Sequence, residues 1–160
     1  MVLPGRAKQK YKKLISHALA HQKTCLIMLP EVSLAIQFEH IFNKALSNAS
    51  VFSFHSASSK KEKNNLWRAL IDQQPLVIIG VHQPIFLPIA NLGLIIVDEE
   101  HESGYQEKKH PKINSKEAAL IRAHQYQIPI ILGSATPSTT SLFNVHKRNW
   151  SFFTLTKRYH

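Results

Sequence analysis

A single cysteine in 160 residues excludes a disulfide within the chain and any metal site built from thiolates. That residue, Cys25, lies in the apolar run TCLIML, which reads as a strand. Its thiol is expected to be buried and inert, and such usage suits a reducing compartment. No apolar run approaches the roughly 18–20 residues that cross a bilayer, and the first residues lack the apolar stretch of a secretory signal. A membrane partner is not expected. Glycine is scarce, at 5 residues. Nowhere does it form G-x-x-x-x-G-K-[ST], the loop whose backbone amides wrap phosphates. Acidic residues are few as well: 10 against 20 Lys and Arg, for a formal charge of +10. This excess favours a polyanionic partner, nucleic acid being the commonest, because Lys and Arg displace counterions from phosphates.

What is present is an apolar fraction of 44%, which at this length is enough for one α/β domain with a true core. Helical and extended patterns alternate. The periodicity predicts helices over 8–20, 33–46, 116–125 and 138–145, and a polar one, capped by Ser58, running to Ile71 with Leu66, Trp67, Leu70 and Ile71 as its buried edge. Strands are predicted over 24–29, 51–54, 76–79, 92–97 and 128–132, with a last one near Phe152–Leu155. Such alternation implies βαβ units and a three-layer fold with a mostly parallel central sheet. Each strand ends in a polar or small group: Pro30-Glu31, His55-Ser56, Gly80-Val81-His82, Asp98 to His101, and Ser134 to Thr136. In a right-handed parallel sheet these ends converge on one rim.

The most informative run is LGLIIVDEEH, 92–101. Its apolar part fits a strand buried on both faces. Burying Asp98, Glu99 and Glu100 together would be very costly, so they are expected to emerge at the strand's C-terminal edge. There Asp98 could hold a hydrated Mg²⁺ and Glu99 could polarise a water. The alternative is the first turn of a helix, where carboxylates are favoured anyway. The turn GSATP at 133–137 shifts the balance toward a site.

Taken in order, MLPEVSLAIQ (28–37), FHSASSKKEKNNLW (54–67), NLGLIIVDEEHESGY (91–105) and IRAHQYQIPIILGSATPSTTSL (121–142) resemble the first RecA-like lobe of superfamily 2 DEAD/DEAH-like helicases. Within that superfamily they are most similar to the primosomal, replication-restart type. The resemblance implies a single N-terminal RecA-like lobe over 1–160, lacking a second lobe, the DNA-binding N-terminal region and the zinc module. It implies ATP and Mg²⁺ as cofactors, and no zinc. Asp98 would bind the Mg²⁺, Glu99 would orient or activate the attacking water, and Glu100 and His101 would complete helicase motif II. Ser134, Ala135 and Thr136 would couple nucleotide state to movement on DNA. Pro30, Glu31 and Gln37 resemble motif Ia, while Gly80 and His82 occupy the place of motif Ib. With His55 and Ser56 these are the implied DNA contacts. The loop from Tyr105 to Ser115 corresponds to an aromatic-rich loop that senses DNA. Implied partners are single-stranded or forked DNA, primosome proteins and a single-strand DNA-binding protein, in the bacterial cytoplasm at the nucleoid.

The departures are as informative. Aligned on Tyr11 and Leu14-Ile15, residues 1–11 stand where the family has its P-loop. Pro4, Gly5, Arg6, Ala7 and Lys8 replace G-S-G-K-T. One glycine cannot rebuild the phosphate nest, so weak nucleotide binding is expected, and the basic residues at 6–13 read as a solvated helix face. Two functional classes stay open: an ATP-dependent motor lobe, and a DNA- or primosome-binding module that kept the fold but lost hydrolysis. A restriction-type translocase is a third. The histidine pair His17/His21 has i, i+4 spacing but no companion glutamate, and reads as exposed helix polarity.

Overall fold

In the computed structural model of the chain, residues 5–46, 49–108 and 110–155 are described, with 5–7 described by their backbone alone. Five strands, β1 (Thr24–Met28), β2 (Ser50–Phe54), β3 (Leu76–Gly80), β4 (Leu92–Asp98) and β5 (Ile130–Gly133), form one sheet in the order β2-β3-β1-β4-β5. Every pairing between them is parallel. The helices are α1 (Gly5–Ala20), α2 (Val32–Ala45), α3 (Lys60–Ile71), α4 (Ser115–Tyr126) and α5 (Thr139–Lys147). Short 3-10 turns occupy Gln83–Phe86 and Ser103–Tyr105.

The apolar runs of β1, β3 and β4 are continuous because both faces of the sheet are covered. Cys25, Ile27, Val77, Ile79, Leu94 and Ile96 pack with Tyr11, Ile15, Phe38 and Phe42 of α1 and α2. Leu26, Met28, Leu76, Ile78, Ile95 and Val97 pack with Leu66, Leu70, Ala119 and Ala123 of α3 and α4. An irregularity at Gly93 shifts the register, so that Thr24 faces Leu92 but Cys25 faces Leu94. Leu92 and Leu94 consequently join opposite core clusters despite their equal parity. Burial pushes the Cys25 thiol up to about 12, which leaves it without thiolate character.

Three local expectations need correction. The cap of α3 is Ser59, whose hydroxyl accepts the Glu62 N–H at 3.2 Å while the Glu62 carboxylate accepts the Ser59 N–H at 2.6 Å. Ser58 instead closes the preceding turn, accepting the His55 N–H and donating to the Ser53 carbonyl. Only Leu66 and Leu70 form the buried edge of α3; Trp67 is 42% and Ile71 75% exposed. That helix packs on β2, an edge strand, which leaves only Leu66, Leu70 and, in part, Ala69 against the core. Finally, Phe152–Leu155 forms no strand and is exposed. Its β-favouring composition is not enough, because extended chain becomes strand only where a ladder partner meets it.

Candidate functional site

The rim at the strand C-termini is built around β4 and β5. Their register sets Asp98 beside Gly133, so the DEEH tip and the SAT turn emerge next to each other. The Glu100 N–H donates to the Gly133 carbonyl at 2.9 Å, which ties the two ends once more. Ser134 Oγ and His101 Nδ1 are 2.7 Å apart, and Ser134 Oγ also accepts the Thr136 N–H at 2.9 Å. Glu99 Oε2 lies 3.7 Å from the same His101 nitrogen, and Glu102 Oε1 lies 3.5 Å from Nε2. The histidine is therefore the bridge between tip and turn. Ala135 and Thr136 are exposed beside it.

The three consecutive carboxylates do sit at the strand end, but all are buried: Asp98 is 1%, Glu99 9% and Glu100 2% exposed. The expectation that burial is too costly fails because separate elements supply partners to Asp98 and Glu100. Glu99 has φ 51°, a left-handed conformation uncommon for a residue with a Cβ. That turn separates its two neighbours. Asp98 Oδ1 accepts the Tyr11 hydroxyl of α1 at 2.8 Å, whereas Asp98 Oδ2 is buried with no partner. Burial pushes the Asp98 carboxyl up to about 6, the Tyr11 bond opposing and the Glu99 charge adding. Burial, then the Asp98 charge, pushes the Tyr11 hydroxyl far up as well.

Glu100 faces a different set. Its Oε1 accepts the Ser138 N–H at 2.7 Å, and its Oε2 accepts the Ser138 hydroxyl at 2.9 Å, the Ser141 hydroxyl at 3.0 Å and the Lys116 ammonium at 3.0 Å. Burial pushes this carboxyl up, but the Ser138 N–H, the Lys116 ammonium and the Ser138 hydroxyl outweigh it and hold the group below its ordinary range. Lys116, Ser138 and Ser141 were missed in the sequence, where nothing distinguishes them from ordinary helix-cap and surface residues.

Around the rim the implied DNA contacts divide. Glu31, Gln37 and Ser56 are exposed and Pro30 is half-buried. Glu31 precedes α2 and its Oε1 accepts the Ser33 hydroxyl at 2.6 Å. His55 is buried, its Nδ1 without a partner. Gly80 acts through its lack of a side chain, since a Cβ would lie 2.1 Å from the Phe54 carbonyl. His82, at φ 55°, has Nδ1 3.0 Å from Ser115 Oγ, whose own proton goes to the Tyr105 carbonyl. The Ser115 oxygen thus accepts a hydrogen bond from the His82 ring. Tyr105, expected in a DNA-sensing loop, is instead buried, its hydroxyl shared between the carbonyls of Met28 at 2.8 Å and Asp98. An aromatic ring with a hydroxyl is well suited to that buried seat, because the carbonyls satisfy its polar end.

The P-loop counterpart is partly outside the described residues, which exclude Pro4 and the side chains of Gly5, Arg6 and Ala7. From Gly5 onward the chain is helix, so residues 5–10 form no phosphate-wrapping loop. Lys8 is half-buried, its ammonium 5.6 Å from the Phe38 ring centre, and it faces Asp98 closely enough to lower that carboxyl. Lys10, Lys12 and Lys13 are exposed, as are His17 and His21, whose rings lie 4.4 Å apart.

A sequence profile described as DEAD/DEAH box helicase matches residues 9–145. Replication restart protein PriA of Bacillus subtilis (strain 168) is 36% identical over 148 residues, covering 92% of this chain and 18% of that protein. PriA of Helicobacter pylori (strain J99) is 34% identical over 131 residues, 82% of this chain and 21% of that protein. The chain thus spans about a fifth of the length of the curated relatives it matches. Among solved structures, RecG bound to a three-way DNA junction superposes with a TM-score of 0.54 at 24% identity, covering 79% of this chain and 16% of that one. The Pyrococcus furiosus Hef helicase domain gives 0.53 at 14% identity, covering 87% and 28%. These likenesses establish the RecA-like fold of the described sheet and its helices.

Proposed function

Because the chain belongs to the DEAD/DEAH box helicase family, we propose that it works as the first RecA-like lobe, residues 1–160, of a DNA helicase of the replication-restart type. The observation that carries this reading is the contact of His101 with Ser134, 2.7 Å across the neighbouring ends of β4 and β5. It joins the acidic tip, where a nucleotide's metal would be held, to the hydroxyl turn that would pass its state on. The charge of +10 supplies the attraction to a phosphate backbone. Gln37 and Ser56, both exposed, offer donors for contacts that carry no sequence information. Single-stranded or forked DNA is the substrate in this reading, with primosome proteins and a single-strand DNA-binding protein as partners at the bacterial nucleoid.

ATP and Mg²⁺ are what such a lobe uses, and the residues here do not fit them in the arrangement seen. Mg²⁺ keeps several waters and binds through one or two carboxylates plus phosphates, so it needs open approach. Asp98 is 1% exposed and has one oxygen committed to Tyr11. From Gly5 onward, the stretch that stands in the place of the phosphate cradle is helix. In this arrangement the described residues leave Asp98 closed to a metal ion.

The Tyr11–Asp98 bond also favours a second reading, a lobe that binds DNA or primosome proteins without hydrolysing nucleotide. Titration of a labelled single strand at several salt concentrations, with and without ATP and Mg²⁺, separates the two. The motor reading expects binding that weakens with salt, responds to nucleotide, and loses that response in Ser134→Ala. Salt-sensitive binding indifferent to nucleotide selects the binding module. DNA binding that ignores ionic strength removes both.

A further inference from the structure

The misfit at Asp98 has one removable cause. The Tyr11 hydroxyl donates to Asp98 Oδ1 at 2.8 Å from a ring that is itself buried among Ile15, Ile27 and Ile96. Its seat is shaped by an absence on the neighbouring strand. A Cβ on Gly133 would lie 2.0 Å from the Tyr11 hydroxyl and 2.6 Å from Asp98 Oδ1, so only glycine leaves room for the hydroxyl against the carboxylate. The second oxygen, Oδ2, is equally shut in but unpartnered, a buried acceptor with unused capacity.

We propose that Tyr11 is a plug: its hydroxyl closes the Asp98 carboxylate to divalent cations, and removing that hydroxyl opens the site. This rests on the motor-lobe reading, since it assigns to Asp98 the metal-side position of that lobe. A phenolic O–H is a neutral donor and satisfies one lone pair of a carboxylate. A divalent cation is the stronger partner but needs an opening. On this account the tip is intact yet occluded, and the occlusion comes from α1, the element standing where the family has its phosphate loop.

The test uses Mn²⁺ as the probe ion, followed by loss of the free-ion paramagnetic resonance signal on titrating the full chain. Wild type is expected to leave the signal unchanged at millimolar protein. Tyr11→Phe keeps the ring and loses the hydroxyl. It is expected to deplete the free-ion signal at protein concentrations where wild type leaves it unchanged, a gain in affinity of about tenfold or more. The gain should vanish in Tyr11→Phe combined with Asp98→Asn. If Tyr11→Phe does not fold, Tyr11→Met fills a similar volume without a hydroxyl and carries the same expectation. Mn²⁺ binding by wild type that Asp98→Asn abolishes overturns the plug, as does Tyr11→Phe binding no better than wild type. Either result leaves the DNA titration above untouched, whereas failure of that titration removes the lobe reading and leaves the Mn²⁺ comparison intact.

Discussion

The centre of the sheet and its β5–α5 edge are held together by opposite means. Every residue of β1 and β3 is buried, and the side chains above and below them are apolar. At the edge, all four residues of β5 are only half-buried, and α5 buries a single residue, Asn144, while Leu142 and Phe143 remain exposed. What seats α5 is the Glu100 carboxylate, through Ser138 and Ser141, with Lys116 of α4 as counter-charge. Apolar burial is undirected and specifies the fold as a whole. A charged, hydrogen-bonded latch is directional, and specifies where the turn at 134–136 stands relative to the acidic tip.

The contrast is open to direct attack. The largest effect is expected at the centre, where Ile27→Ala should lower the global unfolding free energy by about 3–4 kcal/mol in denaturant melts, with amide protection falling throughout the sheet. Glu100→Gln keeps the shape but strands the Lys116 charge. It should cost about 2 kcal/mol and release protection mainly in α5 and the turn before it, read by hydrogen exchange. Loss spread evenly over β1 and β3 in that variant would erase the distinction. Ser138→Ala removes both the cap of α5 and one Glu100 partner, and should cost about 1 kcal/mol, again confined to the edge.

The smallest effect belongs to α3, whose cap depends on Glu62. The Ser59 hydroxyl and N–H hold that carboxyl below its ordinary range. A depressed carboxyl contributes stability above its unfolded value and loses it as pH falls through the folded one. Fraying of α3 should thus set in below about pH 4, the ordinary Glu range, and be absent in Glu62→Gln, by helix-resolved amide shifts against pH. A centre that loosened in the same window as α3 would mean that both regions answer to one carboxyl.

Legibility followed the same division. Leu92–Val97 declares a strand buried on both faces because apolar burial is local in sequence: five apolar side chains in six residues say it. The convergence of strand ends on one rim also follows from alternation alone, since parallel βαβ units admit no other arrangement. The latch residues were silent because Lys116, Ser138 and Ser141 meet Glu100 from 16, 38 and 41 positions away. Tyr11 meets Asp98 from 87 positions away, and its spacing marks it only as one more apolar position on a helical stripe. Trp67 and the Phe152–Leu155 stretch misled for a related reason. Hydrophobicity says that a side chain gains from cover, not that cover reaches it.

The strand order has a consequence for how the chain comes into being. Of the five strands the first in sequence is the middle one in space, with Val77 on one side of Cys25 and Leu94 on the other. A nascent chain leaving the ribosome therefore carries β1 with both edges bare until β3 and then β4 have been synthesised. The long interval between a strand and its partners makes assembly slow and leaves apolar edges open to wrong pairings meanwhile. The centre of the sheet is thus the strand whose pairing waits longest, from Met28 to Leu76 on one side and to Leu92 on the other.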